Sequence, residues 1–195
     1  MKKFSFFWLL LLLFLPAVTL GQGLSIGVMG GLTLPKITGD DIESTAVYPG
    51  FTAGVCLNFH LHPVLSIQTE VLYVQKGWKE AGSKYRINYL EAPVLAKYTW
   101  VSRVNPYFII GPAVAARIST RAEIKVDETM VTGDFNEIIK ATDVGLVLGA
   151  GIYPKVPDAY IEIRYTLGLN DIDATELNLD MKNGSLALLV GYSLF

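Results

Sequence analysis

The chain has 195 residues, of which 51% are hydrophobic and 17% are charged, and its formal net charge is −2. Globular domains usually carry about 25% charged residues, so this composition excludes a disordered chain and is too apolar for a small soluble domain. Acidic residues outnumber basic ones by 18 to 16, which excludes a nucleic-acid-binding protein with a basic surface. The single cysteine, Cys56, excludes a disulfide scaffold.

The chain begins with the pattern of a secretory signal peptide. Two lysines follow the first methionine, an apolar run of 12 residues extends over Phe4–Leu15, and the small residues Thr19 and Gly21 come after it. This order predicts a signal peptide over residues 1–21, cleaved after Gly21, which leaves a domain over residues 22–195. The alternative is a membrane-anchoring helix, which needs about 20 apolar residues and matches the run less well.

From Leu24 onward, apolar residues recur at every second position. This is the period of a β-strand, whose successive side chains point to opposite faces. The sequence predicts eight strands and no helix. The predicted strands are Leu24–Leu34, Phe51–His60, Leu65–Lys76, Tyr89–Trp100, Tyr107–Arg117, Asp143–Ile152, Ile161–Gly168 and Leu186–Leu194.

Short and long connections alternate between these strands. The short, turn-like connections are residues 60–64, 101–106 and 154–158. The long, polar connections are residues 35–47, 77–87, 118–142 and 169–183. An even number of strands with short turns at one end and long loops at the other is the layout of a membrane barrel. The predicted fold is therefore an all-β, eight-stranded antiparallel up-and-down transmembrane β-barrel.

One face of the predicted strands is aliphatic, and the other carries small and polar side chains. The aliphatic face has aromatic residues near its ends and no charges, as does the lipid-facing band of a membrane barrel. A soluble barrel such as a lipocalin is the alternative, because it also has eight alternating strands, with the apolar face inside. Few and balanced charges on the polar face favour the membrane barrel, since charges in a narrow lumen must pair.

The polar face carries four acidic and four basic residues, whose charges sum to zero. They are Glu70, Lys76, Glu91, Lys97, Arg117, Asp143, Glu162 and Arg164. Two roles are open for them: they line a small ion path, or they form a paired network that fills and rigidifies the lumen. An eight-stranded barrel is just wide enough to hold its own side chains, which favours the second role, a paired network that plugs the lumen.

The segment Tyr89–Tyr98 reads YLEAPVLAKY and resembles the "YLE-x-P-x-L-x-KY" strand of the PorT-like outer-membrane β-barrel family. Four further matching pieces occur in the expected order: Gln68–Tyr73 with Lys76–Gly77, Tyr107–Pro112, Gly149–Gly151 and Arg164–Leu169. The resemblance implies an outer-membrane location and an eight-stranded barrel. Many members of this family are called porin-like, and its founding type is linked to protein secretion.

No set of residues has the spacing of a catalytic or metal site. The two histidines, His60 and His62, have no third ligand nearby in sequence. A catalytic triad needs a nucleophile, a base and an orienting group within reach of one another, and Asn58 and Ser66, the polar neighbours of His60, are interpreted as structural. The acidic residues of the last long loop do not have the spacing of an EF-hand. These are Asp171, Asp173, Glu176 and Asp180.

We therefore predict a non-enzymatic outer-membrane barrel with a charge-paired, largely plugged lumen. It would act through its long extracellular loops or through partner contacts, in envelope organisation, surface binding or support of secretion. A small-solute porin is the alternative function, followed by a lipid-modifying enzyme. The expected partners are outer-membrane lipid, the machinery that assembles barrels, and envelope or secretion proteins. We predict no cofactor, no metal and no nucleic acid.

Overall fold

A computed structural model describes most of the predicted barrel domain. The described residues are 23–38, 46–80, 82–126, 129–154, 156, 158–174 and 181–194. The predicted signal peptide over residues 1–21 lies outside these ranges, as do Glu176 and Asp180 of the last loop.

Ten strands account for most of the described residues. They are β1 (Leu24–Thr38), β2 (Ala46–Val47), β3 (Gly50–His62), β4 (Leu65–Glu80), β5 (Ser83–Thr99), β6 (Tyr107–Val126), β7 (Thr129–Gly133), β8 (Thr142–Ile152), β9 (Ala159–Gly168) and β10 (Lys182–Ser193). A single 3-10 turn, Asn136–Ile138, is the helical element of the described part. No helix within these residues has the length and apolar character needed to cross a membrane.

Eight of the strands close into a ring in the order β1–β3–β4–β5–β6–β8–β9–β10, each antiparallel to its neighbours. The ring closes where β10 pairs with β1, from Gly27 opposite Ser193 to Thr38 opposite Lys182. The short strands β2 and β7 are additions that pair with β4 and β6. This arrangement confirms the predicted all-β, eight-stranded antiparallel up-and-down barrel.

The two ends of the barrel differ in their connections. At one end, the turn end, Pro63 and Val64 join β3 to β4, and short connections also join β5 to β6 and β8 to β9. The chain enters β1 and leaves β10 at this same end. At the other end, the loop end, longer segments join β1 to β3, β6 to β8 and β9 to β10.

The strands extend further toward the loop end than we predicted. The prediction of a long loop over residues 77–87 is wrong, because β4 continues to Glu80 and β5 begins at Ser83. Much of residues 118–142 is also strand, since β6 continues to Val126 and pairs with β7. Similarly, β1 continues to Thr38. Beyond the apolar band both faces of a strand carry polar side chains, so hydrophobic alternation ends before strand pairing does.

The outer face of the barrel is an aliphatic band. Leu32, Phe108 and Leu188, from three different strands, have 56–63% of their surface exposed. The alternate residues of the same strands point into the barrel and are mostly small or polar, with some buried aliphatic and aromatic side chains such as Ile109, Leu189 and Tyr107. The apolar face therefore points outward, opposite to the arrangement of a soluble barrel, in which the apolar face lines the interior.

Glycines on the inner face leave room for large aromatic rings. A Cβ atom on Gly151 would overlap the Tyr107 ring, and one on Gly191 would overlap the Tyr160 ring. Both rings are buried, in an apolar cluster that includes Leu95. The lumen is thus filled by side chains, as the width of an eight-stranded barrel requires.

Candidate functional site

Seven of the eight charged residues singled out in the sequence lie inside the barrel, with at most 4% of their surface exposed. The structure divides these seven into two groups at different heights in the lumen. The eighth, Arg117, is half-buried and lies near the loop end. Its guanidinium donates a hydrogen bond to the backbone carbonyl of Asn136, and no carboxylate of the described residues lies within 4.0 Å of it.

The group nearer the turn end is a continuous hydrogen-bonded cluster, the lower network. Its members are Gln68, Glu70, Lys97, Tyr107, Tyr153, Glu162 and Arg164. At its centre, Arg164 donates to both carboxylate oxygens of Glu70, at 2.7 and 3.0 Å, and its Nε donates to Glu162 at 2.6 Å. This is the paired, fork-like geometry in which arginine binds carboxylates most strongly.

The Arg164–Glu70 ion pair crosses the lumen. Arg164 lies on β9 and Glu70 on β4, and these strands are four positions apart in the ring of eight. Both side chains are almost fully buried. The ion pair therefore joins opposite walls of the barrel.

Lys97 completes the lower network without an ion pair. Its Nζ donates to Gln68 Oε1 at 3.1 Å and to the Tyr153 hydroxyl at 2.8 Å, and it lies 4.0 Å from the centre of the Tyr107 ring. The Tyr107 hydroxyl in turn donates to Glu162 at 2.9 Å. Among the described residues, no carboxylate comes within 4.0 Å of Lys97 Nζ, so a cation–π contact and neutral acceptors replace the expected pairing.

The second group lies nearer the loop end and is called the upper network. Its members are Lys76, Tyr89, Glu91, Asp143 and Asn183. Lys76 Nζ lies 3.2 Å from Asp143 and 3.6 Å from Glu91. The Asn183 amide donates to Asp143 at 2.8 Å and to the Tyr89 hydroxyl at 3.2 Å. Because Asn183 on β10 and Tyr89 on β5 are also four strands apart, this network spans the lumen as well.

Two loop segments cover the upper network at the loop end. We call this cover the cap, and it comprises residues 134–141 and 170–174. Ile139 and Ile172 of the cap are buried in an apolar cluster with Trp78 of the barrel wall. The two segments are joined by backbone hydrogen bonds from Lys140 to Ile172, at 2.8 Å, and from Ala174 to Ile138, at 3.0 Å. The segment 118–142 therefore first extends the barrel wall and then returns over the mouth.

One carboxylate, Asp171, organises the last loop. It accepts hydrogen bonds from the Lys140 ammonium at 2.7 Å and from the backbone amides of Asp173 and Met181. Burial acts to raise the pKa of Asp171, but these hydrogen bonds outweigh it and lower the pKa below its ordinary value. The oxygens of Asp171 are thus used by neighbouring groups of the loop end.

The turn end contains a cavity of about 510 Å³ that is lined by polar and aromatic residues. His60 lies in its wall, with Nδ1 2.9 Å from Ser66 Oγ and Nε2 3.3 Å from Ser25 Oγ. Cys56 is buried beside the Tyr160 hydroxyl, at 3.4 Å. Within the described part of the chain, no three His, Cys, Asp or Glu side chains are grouped as metal ligands would be.

Sequence reasoning missed several members of these networks. Gln68 and Tyr107 stand on the polar face by alternation, but only the structure shows that they bond to the charged residues. Tyr153 lies just after β8, and Asn183 at the beginning of β10, so no pattern marked either of them. The tertiary structure alone brings such distant residues together.

Comparison with models of known protein families identifies the family of this chain. A family model described as "Outer membrane protein beta-barrel domain" matches residues 19–174. The chain belongs to this family. A search of curated proteins gives no significant match.

This outer-membrane β-barrel protein shares its fold with solved structures. The crystal structure of Neisserial surface protein A aligns with a TM-score of 0.52 at 14% identity, covering 88% of this chain and 99% of that one. Ail, the attachment invasion locus protein of Yersinia pestis, was solved in complex with the heparin analogue sucrose octasulfate. It aligns with a TM-score of 0.51 at 14% identity, covering 89% of this chain and all of that one. At such identities the likeness shows the fold alone.

The family places the protein in the bacterial outer membrane. In this membrane the short turns of a barrel face the periplasm and the longer loops face outward. The turn end is therefore periplasmic and the loop end extracellular. The aliphatic band around the outside of the barrel contacts lipid.

Proposed function

We propose that this outer-membrane barrel is closed to solutes, is not an enzyme, and acts through its extracellular loop end. The observation that carries the proposal is the pair of contacts that cross the lumen. Arg164 joins Glu70 in the lower network, and Asn183 joins Tyr89 in the upper network. Each contact links strands on opposite sides of the ring, so a solute would have to separate both.

A small-solute porin is the alternative. Ions would pass through this lumen only if the buried Arg164–Glu70 pair separated, which leaves two unpaired charges in a poorly hydrated space. Breaking a buried pair costs about 3–5 kcal/mol, so open states would be rare. The cap would have to move as well, because Ile139 and Ile172 pack over the mouth.

A lipid-modifying enzyme is the less favoured alternative. His60 contacts two serines, but among the described residues no carboxylate hydrogen-bonds to it, so the orienting group of a triad is missing. It also lies at the periplasmic turn end. We expect His60→Ala to leave the chemistry of outer-membrane lipid unchanged. A change in lipid composition that this variant abolishes would contradict the proposal.

We also propose that the protein is related to the PorT-like barrels, with envelope or secretion proteins as partners of its loop end. The segment Tyr89–Tyr98 supports this proposal. Its residues Tyr89 and Glu91 belong to the upper network and Lys97 to the lower one. Three of the positions that match the PorT-like strand are therefore among those that fill this lumen.

Single-channel recording tests whether the barrel is closed. The protein without residues 1–21 would be purified and folded in detergent, checked by its heat-dependent gel shift, and inserted into a planar bilayer. We expect a silent membrane, with a porin inserted into a separate bilayer of the same lipid as the positive control. Steady openings whose ion selectivity changes in Glu91→Gln would overturn the proposal and favour the porin.

A deletion tests the role of the loop end. Replacing residues 124–131 with an Asn-Gly turn shortens the β6–β7 hairpin to the Glu123–Thr132 pair and leaves the pairing of β6 with β5 and β8 unchanged. We expect the shortened protein to fold and to lose its surface phenotype in cells. If every surface phenotype persists, the hairpin has no part in the function.

A further inference from the structure

The outer surface of the barrel carries a polar cavity of about 320 Å³ on the β4–β5–β6 side of the loop end, which we call the basic cavity. Its lining includes Tyr48, Tyr73, Lys84, Arg86, Arg121 and Glu123. None of these residues belongs to the lower or upper network. The basic cavity opens on the outside of the wall and not into the lumen.

The basic cavity lies directly beyond the apolar band. Leu90, Asn88, Arg86 and Lys84 occupy successive outward positions of β5, and Leu90 is the last apolar one. Tyr73, which pairs with Leu90 across the strands, forms the membrane-side edge of the cavity. At about 3.3 Å per residue and a tilt of about 40°, Arg86 stands about 10 Å beyond Leu90. This places the arginine side chain in the layer of lipid headgroups.

Two arginines on neighbouring strands line the cavity. Arg86 on β5 is directly opposite Arg121 on β6, and side chains in such pairs have Cβ atoms about 4.5–5.5 Å apart. Like charges placed so closely repel one another unless an anion lies between them. Lys84 is partly neutralised by Glu123, at 3.2 Å, whereas no described carboxylate lies within 4.0 Å of either arginine. The lining as a whole carries three basic groups and one acidic group.

Neighbouring groups hold the walls of the cavity in place. The Arg86 guanidinium lies 4.4 Å from the centre of the Tyr48 ring, which fixes its plane by a cation–π contact. Tyr48 packs against the wall at Gly77, where a Cβ atom would lie 3.4 Å from the ring, in ordinary van der Waals contact. The Asn88 amide donates to Ser119 Oγ at 2.9 Å and forms the floor.

We propose that the basic cavity binds the phosphate group of an anionic lipid in the outer leaflet. Planar guanidinium groups match phosphate oxygens with two hydrogen bonds each, and Arg86 and Arg121 present two such groups to one space. The cavity faces sideways into the headgroup layer, where lipid phosphates lie. A bound phosphate also removes the repulsion between the two arginines.

Lipid retention measured by native mass spectrometry tests this proposal. Delipidated protein in a zwitterionic detergent would be titrated with phosphatidylglycerol, phosphatidylcholine or inorganic phosphate. We expect one phosphatidylglycerol to be retained preferentially. We also expect Arg121→Gln to weaken its binding about tenfold, the effect of losing one charge-assisted hydrogen-bonding group, and Arg86→Gln/Arg121→Gln to weaken it further.

A matched control removes one outward-facing positive charge from the opposite side of the ring. Lys36 is exposed on β1, four strands from β6, and Lys36→Gln should retain phosphatidylglycerol as the parent does. In lipid-free detergent, Arg121→Gln should unfold at an equal or higher temperature than the parent, because it relieves the repulsion. In phosphatidylglycerol it should lose the stabilisation that the parent gains.

Three results would overturn the proposal. The first is equal retention of phosphatidylglycerol by the parent and the double variant. The second is an equal loss in Lys36→Gln, which would indicate general attraction to a charged surface. The third is displacement of phosphatidylglycerol by millimolar inorganic phosphate, which would indicate a site for a free anion.

Discussion

The two ends of the lumen are closed in different ways. Toward the turn end, closure belongs to the barrel itself, because Arg164 on β9 and Glu70 on β4 join opposite walls and a cavity of about 510 Å³ opens below them. Toward the loop end, loop segments close the lumen in addition to the strands, because the cap packs Ile139 and Ile172 over the upper network.

This difference indicates where the molecule can move. Regions that are joined by few backbone hydrogen bonds open locally at lower cost than strands in a closed ring. The cap segments are joined to each other through Lys140–Ile172, Ala174–Ile138 and the bridge between Ile139 and Asp173. We therefore expect the cap to open without the barrel, and the lower network to open only when the barrel unfolds.

The largest expected effect follows from breaking the cross-wall ion pair. Arg164→Met leaves Glu70 and Glu162 buried without their cation, and we expect it to lower the free energy of unfolding by about 3–5 kcal/mol. Urea unfolding in phospholipid vesicles measures this change. Lys140→Gln removes one partner of an exposed pair and serves as the control, with an expected loss below about 1 kcal/mol. Equal losses would show that burial does not distinguish the two pairs.

The cap should respond to loss of its buried anchor. Ile172 is 0% exposed, and Ile172→Ala is expected to destabilise the closed cap by about 2–4 kcal/mol. Hydrogen exchange should then be faster at the amides of Lys140 and Ala174 and unchanged in the barrel strands. Ile138→Ala, at a half-exposed position in the same cap, is the control. If strand amides also exchange faster, the cap and the barrel open as one unit.

Substitution of the two buried lysines should lower the free energy of unfolding by different amounts. Lys76→Met leaves two buried carboxylates, Glu91 and Asp143, without their cation. By contrast, Lys97→Met removes the donor only from neutral acceptors, Gln68 and Tyr153. We expect Lys76→Met to be more destabilising by about 2 kcal/mol. Paired urea unfolding curves of the two variants provide the measurement. A larger loss for Lys97→Met would mean that its ring contacts outweigh an ion pair.

The smallest expected effect concerns pH at the loop end. Because the pKa of Asp171 is lowered in the folded protein, its contribution is present above the ordinary pKa of aspartate and is lost as the pH falls through the lowered value. The cap should therefore loosen only in acid. NMR titration of the Asp173 and Met181 amides should report a midpoint below the ordinary value. In Asp171→Asn, this titration should disappear, while a persistent one would assign it to another group.

The sequence predicted much of the fold and little of the detail inside it. Alternation placed Leu32, Phe108 and Leu188 on the outer face, where the structure exposes them. The same alternation put Glu70 and Arg164 on the inner face, yet it could not indicate that they pair, because they are 94 residues apart. It also could not show that Lys97 lies among tyrosines, since ring stacking depends on which strands meet.

The basic cavity shows why the loop predictions were less accurate. Residues 77–87 were predicted as a loop because alternation stops after Lys76, but hydrogen bonding between β4 and β5 continues to the Glu80–Ser83 pair. Strands beyond the membrane have no apolar solvent on one side to enforce a two-residue period. No sequence pattern therefore distinguishes Arg86 and Arg121, and only the strand register shows that they are opposite each other.

What the sequence by itself determined is the number of long strands, the face that each presents to lipid, and the membrane-barrel class. These features follow from the contact of each side chain with lipid or with the lumen, and this contact repeats locally along each strand. The tertiary structure alone decided which charges join across the lumen, how the cap covers the loop end and where the two arginines meet. Those features depend on ring closure, which brings together residues that are distant along the chain.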